Sequence, residues 1–332
     1  MDKIELNEIC QQYRARVIRV TPLDDCYLLE TNRGPKELRV WPRVDVMRWS
    51  FAWRERLARQ GFRGLERFIR TREGKPYVIV GKRGVTMTDH HRRIEPCQPG
   101  VEMARQCGEV IGMMHAAQQE SPLLNGTEYL KNEQLKAESE WNRAKALFAS
   151  FRREDKKKQR GERWVAELGP TLMQRMERSY TMLSHPEISQ DSIGVSHRDL
   201  TRDNWGIVDE RLFIRGFFRP ALSVQHRDVA GYLRELYLTH LDLEQIDSFL
   251  DGYEEKKALS YGEYTLMLAF MARPREVWRS VESYVKQLEH EPQVPTTAIE
   301  QALECQQTVD VLLRHIANRA ERARSEGSHE SL

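Results

Sequence analysis

Apolar and polar residues alternate through three runs near the start of the chain. They are Val17-Ile18-Arg19-Val20, Cys26-Tyr27-Leu28-Leu29-Glu30-Thr31 and Glu37-Leu38-Arg39-Val40-Trp41. Turn formers separate them, at Pro22-Leu23-Asp24-Asp25 and Asn32-Arg33-Gly34-Pro35. Period-two alternation between such turns predicts a three-stranded antiparallel meander over 14–42. The period then changes. Val44, Met47, Phe51, Trp53-Arg54 and Leu57 recur at about three and four residues, predicting a helix over 44–60 that stops at Gly61. Extended pieces are expected again at 65–70, 77–80 and 85–88, the first two joined by the turn Arg72-Glu73-Gly74-Lys75-Pro76. From residue 101 to 119 the pattern is helical, with longer helices over 127–150 and 163–184 and a charged, solvated run at 152–158. Residues 192–220 break from helix. There Ile207-Val208 and Leu212-Phe213-Ile214 bracket a turn at Asp209-Glu210. Helix resumes after 228 and lasts to about 323.

This order predicts an α+β chain of two lobes: an antiparallel sheet with one helix over 1–92, then a mainly helical lobe over 93–324 that contains the loop 197–204. Residues 325–332 are expected to form an unstructured tail. A length of 332 residues supports such a division. No apolar run is long enough to span a membrane. The charged start, Met1-Asp2-Lys3-Ile4-Glu5, has no export-signal core, so synthesis and folding in the cytoplasm are expected. The 52 basic and 50 acidic residues leave a net charge of +2, which provides no field for nucleic acid. The five cysteines form no C-x-x-C pair, so neither a disulfide framework nor a zinc site is indicated.

The segment His197-Arg198-Asp199-Leu200-Thr201-Arg202-Asp203-Asn204 has the spacing of a kinase catalytic loop. In that chemistry the Asp orients or deprotonates an attacking hydroxyl, and the Asn five residues on binds a metal bridging the nucleotide phosphates. His197 would pack behind the loop. A second His-Arg-Asp, His226-Arg227-Asp228, has Leu at position 233 and so is no second catalytic loop. Asp228 could cap a helix, brace the first loop, or both.

Several further stretches, in order, resemble the CotS-type spore-coat family, which has an aminoglycoside-phosphotransferase and protein-kinase-like fold. They are residues 30–39, Leu57-Ala58-Arg59-Gln60-Gly61-Phe62, Gly74-Lys75-Pro76-Tyr77, and the segment from Ala269-Phe270 through Pro274 and Trp278 to Tyr284. The resemblance implies a bilobal kinase-like chain with Asp199, Asn204 and His197 at catalytic-loop positions and Asp228 as a brace. It places the phosphate-binding lysine of the third strand on Arg39, with Glu55 as the candidate partner. Met87 to His91 would line the lobe junction where adenine binds. The metal-binding aspartate expected after the loop falls on Arg215, a cation where Mg²⁺ should sit, and the pattern is therefore that of a degenerate member.

Three functions stay open on this reading. One is a catalytically impaired structural component of the spore coat, with coat proteins as partners. Another is an active small-molecule phosphotransferase using ATP and Mg²⁺. The third is a nucleotide- or metabolite-binding module without turnover.

Overall fold

Residues 14–42 form the meander that their alternation predicts. In the computed structural model β1 (Val17–Pro22), β2 (Cys26–Thr31) and β3 (Gly34–Trp41) pair antiparallel in sequence order. The structure describes residues 3–23, 26–91, 95–117, 126–153, 160–188, 193–197, 200–215, 221–288, 290–291 and 294–329. The sheet is completed by β4 (Val78–Val80) and β5 (Arg83–Asp89), in the order β1-β2-β3-β5-β4. Alternation sorts its side chains onto two faces. Leu29, Leu38, Val78, Val85 and Met87 meet Tyr13 and, from a helix that the pattern analysis did not predict, α1 (Lys3–Gln12), Leu6, Ile9 and Cys10. Tyr13 extends this cover by donating its hydroxyl to the Val85 carbonyl at 3.1 Å. A second cluster joins Trp41 of β3 to Phe68 and to Met47, Val44 and Phe51 of α2 (Val44–Arg59).

Residues 65–70 are not the expected strand. Leu65, Glu66 and Phe68 are all buried, which a strand presenting alternate faces to solvent does not allow, and β4 holds the sheet edge. One bond ties the segment to the sheet, from Ile69 N–H to the Met87 carbonyl at 2.7 Å.

Two compact units divide the chain, and they interleave in sequence. One comprises Met1–Pro99, Ala116–Ser121 and Asp203–Pro220; the other comprises Gly100–His115, Pro122–Arg202 and Ala221–Leu332. Within the first, the hairpin β7 (Trp205–Val208) and β8 (Arg211–Ile214) is bound to the sheet-bearing segment. Ile207 exchanges main-chain hydrogen bonds with Glu95, and Ile214 donates to Gly64. The second unit is built of α3 (Val101–Ala116), α4 (Gly126–Arg153), α5 (Arg160–Leu183), α6 (His226–His240), α7 (Leu243–Glu254), α8 (Tyr261–Ala272), α9 (Arg275–Leu288) and α10 (Thr297–His329). Gly108 lets α3 lie against α7, since a Cβ there would come within 1.9 Å of the Phe249 carbonyl. A short ladder, β6 (Ile193–Ser196) with β9 (Ala221–Val224), lies beyond the two strands that the pattern marks in 192–220. Helix α10 continues into the stretch expected to be an unstructured tail, because each added residue costs little once a helix is established. Among the described residues no helix is long and apolar enough to cross a membrane.

Candidate functional site

Helix α6 begins at the second His-Arg-Asp, and its first turn carries Asp228, which is buried. The N-cap position is Gln225, and Asp228 does not cap the helix. Its carboxylate accepts from the Ser196 hydroxyl at 2.9 Å and from the main-chain N–H of His197. Seven residues, two turns and roughly 10 Å further along the same face stands Glu235. Its two oxygens lie 3.2 and 3.3 Å from the main-chain nitrogen of Arg202. One face of α6 therefore holds both ends of the segment 197–202. His197 and Leu200 are buried, the packing expected of His197. Arg198 and Asp199 lie outside the described residues.

A single turn of 3₁₀-helix, Arg202–Asn204, leads into β7 of the sheet-bearing unit. At the open end of the hairpin, Arg215 donates its main-chain N–H to the Asn204 carbonyl at 2.7 Å and its Nη2 to the Asp203 carbonyl at 2.5 Å. Its side chain thus reaches back over the peptide next to Asn204, the position at which a metal ligand was expected. Of the two carboxylates that could substitute for that ligand, Asp203 adjoins Asn204, whereas Asp209 sits in the turn at the other end of the ladder. The ladder pairs Trp205 with Ile214 and Val208 with Arg211, which places Asp209 roughly 10 Å or more from Asn204.

Arg39 is buried on the α2 side of β3, opposite Thr86 of β5. Glu37 comes within 3.8 Å of it. The partner expected from the sequence, Glu55, is engaged elsewhere: Arg67 and Arg70 hold it at 3.1 and 3.2 Å. Helix periodicity explains the difference. Glu55 lies on the half-exposed flank of α2, whereas its neighbour Arg54 points inward. Arg54 meets the Glu66 carboxylate at 3.7 Å and its carbonyl at 2.5 Å, and lies 5.1 Å over the Phe68 ring. Burial raises the Glu66 pKa and lowers that of Arg54, each opposed by the attraction of the other; Arg39 adds to the field that favours the Glu66 carboxylate. Met87, expected at an adenine site, is instead fully buried in the α1-side core, because the alternation of β5 pairs it with Leu38. His90, next to it in that expectation, bonds Glu37 at 2.7 Å.

Pattern reasoning missed Glu235, Ser196, Arg54 and Glu66. Glu235 had one available signal, its i+7 spacing from Asp228 on a helix. Glu66 had none, because it fell in a segment read as a strand.

A family model described as "Spore coat putative kinase YutH" matches residues 45–316. The chain belongs to that family. No curated protein matches it. Among solved structures, an aminoglycoside phosphotransferase from Alicyclobacillus acidocaldarius superposes with a TM-score of 0.74 at 14% identity, over 95% of this chain and 96% of that one. The amicoumacin kinase hAmiN gives 0.58 at 13% identity, over 93% and 92%. Spectinomycin phosphotransferase APH(9)-Ia gives 0.54 at 13%, over 97% and 99%. At these identities the likeness shows the fold, which is kinase-like. This spore-coat kinase family model begins at residue 45, whereas the structural likeness also extends over the meander.

Such folds imply a divalent metal with a nucleotide, and the stretch in which a metal-binding aspartate is expected offers none. From Arg211 to Arg227 the chain contains no carboxylate. The position where the resemblance puts that aspartate holds Arg215, whose guanidinium donates to the main-chain carbonyl of Asp203 beside Asn204. Among the described residues no three His, Cys, Asp or Glu side chains are grouped to hold a metal ion.

Proposed function

We propose that this chain is a kinase-like component of the spore coat whose phosphotransferase site is impaired and whose work is structural, through contacts with other coat proteins. On this reading it is made in the cytoplasm and deposited in the coat. The supporting observation is Arg215, since a divalent cation is repelled, not held, by a guanidinium in its ligand sphere. Arg39 supports the same reading. It is buried beside Glu37 and in the field of Glu66, so much of its charge is offset within its own unit.

A second reading, an ATP- and Mg²⁺-dependent small-molecule phosphotransferase with Asp199 as base and Asn204 as metal ligand, is favoured by one observation. The loop that would hold Asp199 is fixed at both ends by α6.

A melt titration with ATP, with and without Mg²⁺, separates the two. Ligand at 100 times its Kd adds about 2.7 kcal/mol, or roughly 4 °C for a chain of this size. The impaired-site reading expects no Mg²⁺-dependent rise in the natural protein and a gain of one in Arg215→Asp. A Mg²⁺-dependent rise in the natural protein overturns it.

A further inference from the structure

Helix α4 carries two carboxylates on one face within the helical unit, Glu133 and Glu140, seven residues and roughly 10 Å apart. Each is already matched. Lys136 holds Glu133 at 2.7 Å, and Arg227 of α6 approaches the same oxygen to 3.5 Å. Arg273, buried between α8 and α9, holds Glu140 through Nε at 3.0 Å and Nη2 at 2.7 Å. Arg275, the first residue of α9, is a third arginine in this cluster. It lies in the field of both carboxylates, yet among the described residues its guanidinium pairs with neither.

Position 275 is unfavourable for a cation. Burial lowers the Arg275 pKa, and the Arg273 and Arg227 guanidinium groups lower it further, to about 10, against the pull of Glu133 and Glu140. The start of a helix adds partial positive charge of its own. The adjacent Glu276 brings no relief, because both Nη atoms of Arg234 hold it, at 3.1 and 3.0 Å. Four cations, Lys136, Arg227, Arg273 and Arg275, thus share two carboxylates, a surplus of two positive charges among the described residues. A long cationic side chain ordinarily carries its charge out to water. Arg275 is half-buried and keeps its charge beside two others of the same sign. An anion placed there removes the repulsion and gains charge-assisted hydrogen bonds. Entry is open on the side of Lys136 and Arg227, whose side chains are 59% and 37% exposed.

We propose that Arg227, Arg273 and Arg275 form a binding site for a dianionic phosphoryl group, carried by a small phosphate monoester or by inorganic phosphate. The class follows from charge and shape. A single carboxylate leaves one positive charge unmet, whereas a phosphoryl group brings close to two negative charges at neutral pH and three acceptor oxygens to one point. Guanidinium groups suit it, since their planar forks match phosphate oxygens in pairs. None of the three arginines belongs to the loop 197–204 or to the hairpin after it. The proposal therefore goes beyond the phosphotransferase question and stands whichever way that is answered.

The test uses the full chain in low salt, without nucleotide or Mg²⁺, titrated calorimetrically and by thermal melting with phenyl phosphate, inorganic phosphate, dimethyl phosphate and phenol. Phenyl phosphate or inorganic phosphate is expected to bind saturably and to raise the melting temperature. Whichever of the two binds more tightly names the source of the phosphoryl group. Dimethyl phosphate, a monoanion, is expected to bind at least about tenfold more weakly, and phenol not at all. Arg275→Gln should weaken the tighter ligand about tenfold. Without ligand the same variant should melt no lower than the natural protein, because a repelled charge has gone. Arg105→Gln, which removes a paired cation elsewhere in the unit, should leave the affinity within about twofold. Failure of both phosphates to bind the natural protein overturns the proposal. So does binding of dimethyl phosphate as tight as that of the dianions, or an affinity unchanged by Arg275→Gln. Should that variant not fold, Arg227→Gln is expected to show the same tenfold loss, and an unchanged affinity there overturns the proposal equally.

Discussion

Arg54 and Glu55 are adjacent in sequence and differ in everything that decides their worth. Glu55 makes two ion pairs, but its partners Arg67 and Arg70 are about half exposed. Exposed pairs are screened and contribute little. Arg54 and Glu66 are enclosed by Ser50, Phe68 and the sheet. Charges there have lost their water, and removing one leaves the other uncompensated. Glu66→Ala is therefore expected to lower unfolding stability by about 3–5 kcal/mol, whereas Glu55→Ala changes it by at most about 1 kcal/mol. Urea unfolding of the two variants measures this, and equal losses would contradict the burial argument. The buried Glu66 carboxylate in the field of Arg39 thus comes from the irregular segment after α2, not from α2, where the sequence put the partner of Arg39.

At the scale of elements, α6 acts as a brace. Asp228 and Glu235 stand two turns apart and take main-chain donors from the two ends of one loop, so a rigid helix sets the span of a segment with no ladder of its own. Glu235→Gln keeps an acceptor and should leave the loop ordered. Glu235→Ala leaves the Arg202 N–H without its partner and should raise amide exchange over residues 200–204 by about tenfold, with α7 and α8 unchanged. Exchange that stays unaltered in the alanine variant would show that the loop is held by other means.

Legibility from sequence follows the same scale. The brace was half readable, because Asp228 repeats a His-Arg-Asp, while Glu235 serves main-chain hydrogen and has no motif. The meander was readable because turn formers separate its strands. Helix α1 was readable in principle, as Leu6, Ile9, Cys10 and Tyr13 follow i, i+3, i+4, i+7, but it spans less than three full turns. Strands β6 and β9 were not, since four-residue strands whose partners lie far apart in sequence leave no periodicity to detect.

Over the whole molecule, buried titratable groups set the pH range in which the chain stays folded. His115 and His226 are both fully buried. Burial, then the nearby Lys257 ammonium, pulls the His115 pKa well below 6.5. Burial also lowers His226, though its contact with Glu263 works against this, and Lys257 lowers it further. The folded chain thus binds fewer protons than the unfolded one below about pH 6.5, and stability must fall as pH drops through that value. Glu263 adds to the acid limb. Burial alone would raise it, but His226, the Ser260 N–H and Lys257 hold it at about 2, so its contribution is lost between about 4.5 and 2. Glu66, raised by burial, opposes them and softens the limb.

On the alkaline side burial pushes the Cys10 thiol up to about 11 and raises the Tyr13, Tyr253 and Tyr264 phenols above their usual value. There the unfolded chain ionises first, so stability falls again above about pH 9. The urea midpoint is expected to be flat from about pH 7 to 8.5 and to decline on both sides. His226→Gln, which removes one of the two imidazoles in the cluster with Lys257 and Glu263, should shallow the decline between pH 7 and 5.5 and leave the alkaline limb untouched. An acid limb of unchanged slope in that variant would place the acid sensitivity outside the cluster of His115, His226, Lys257 and Glu263.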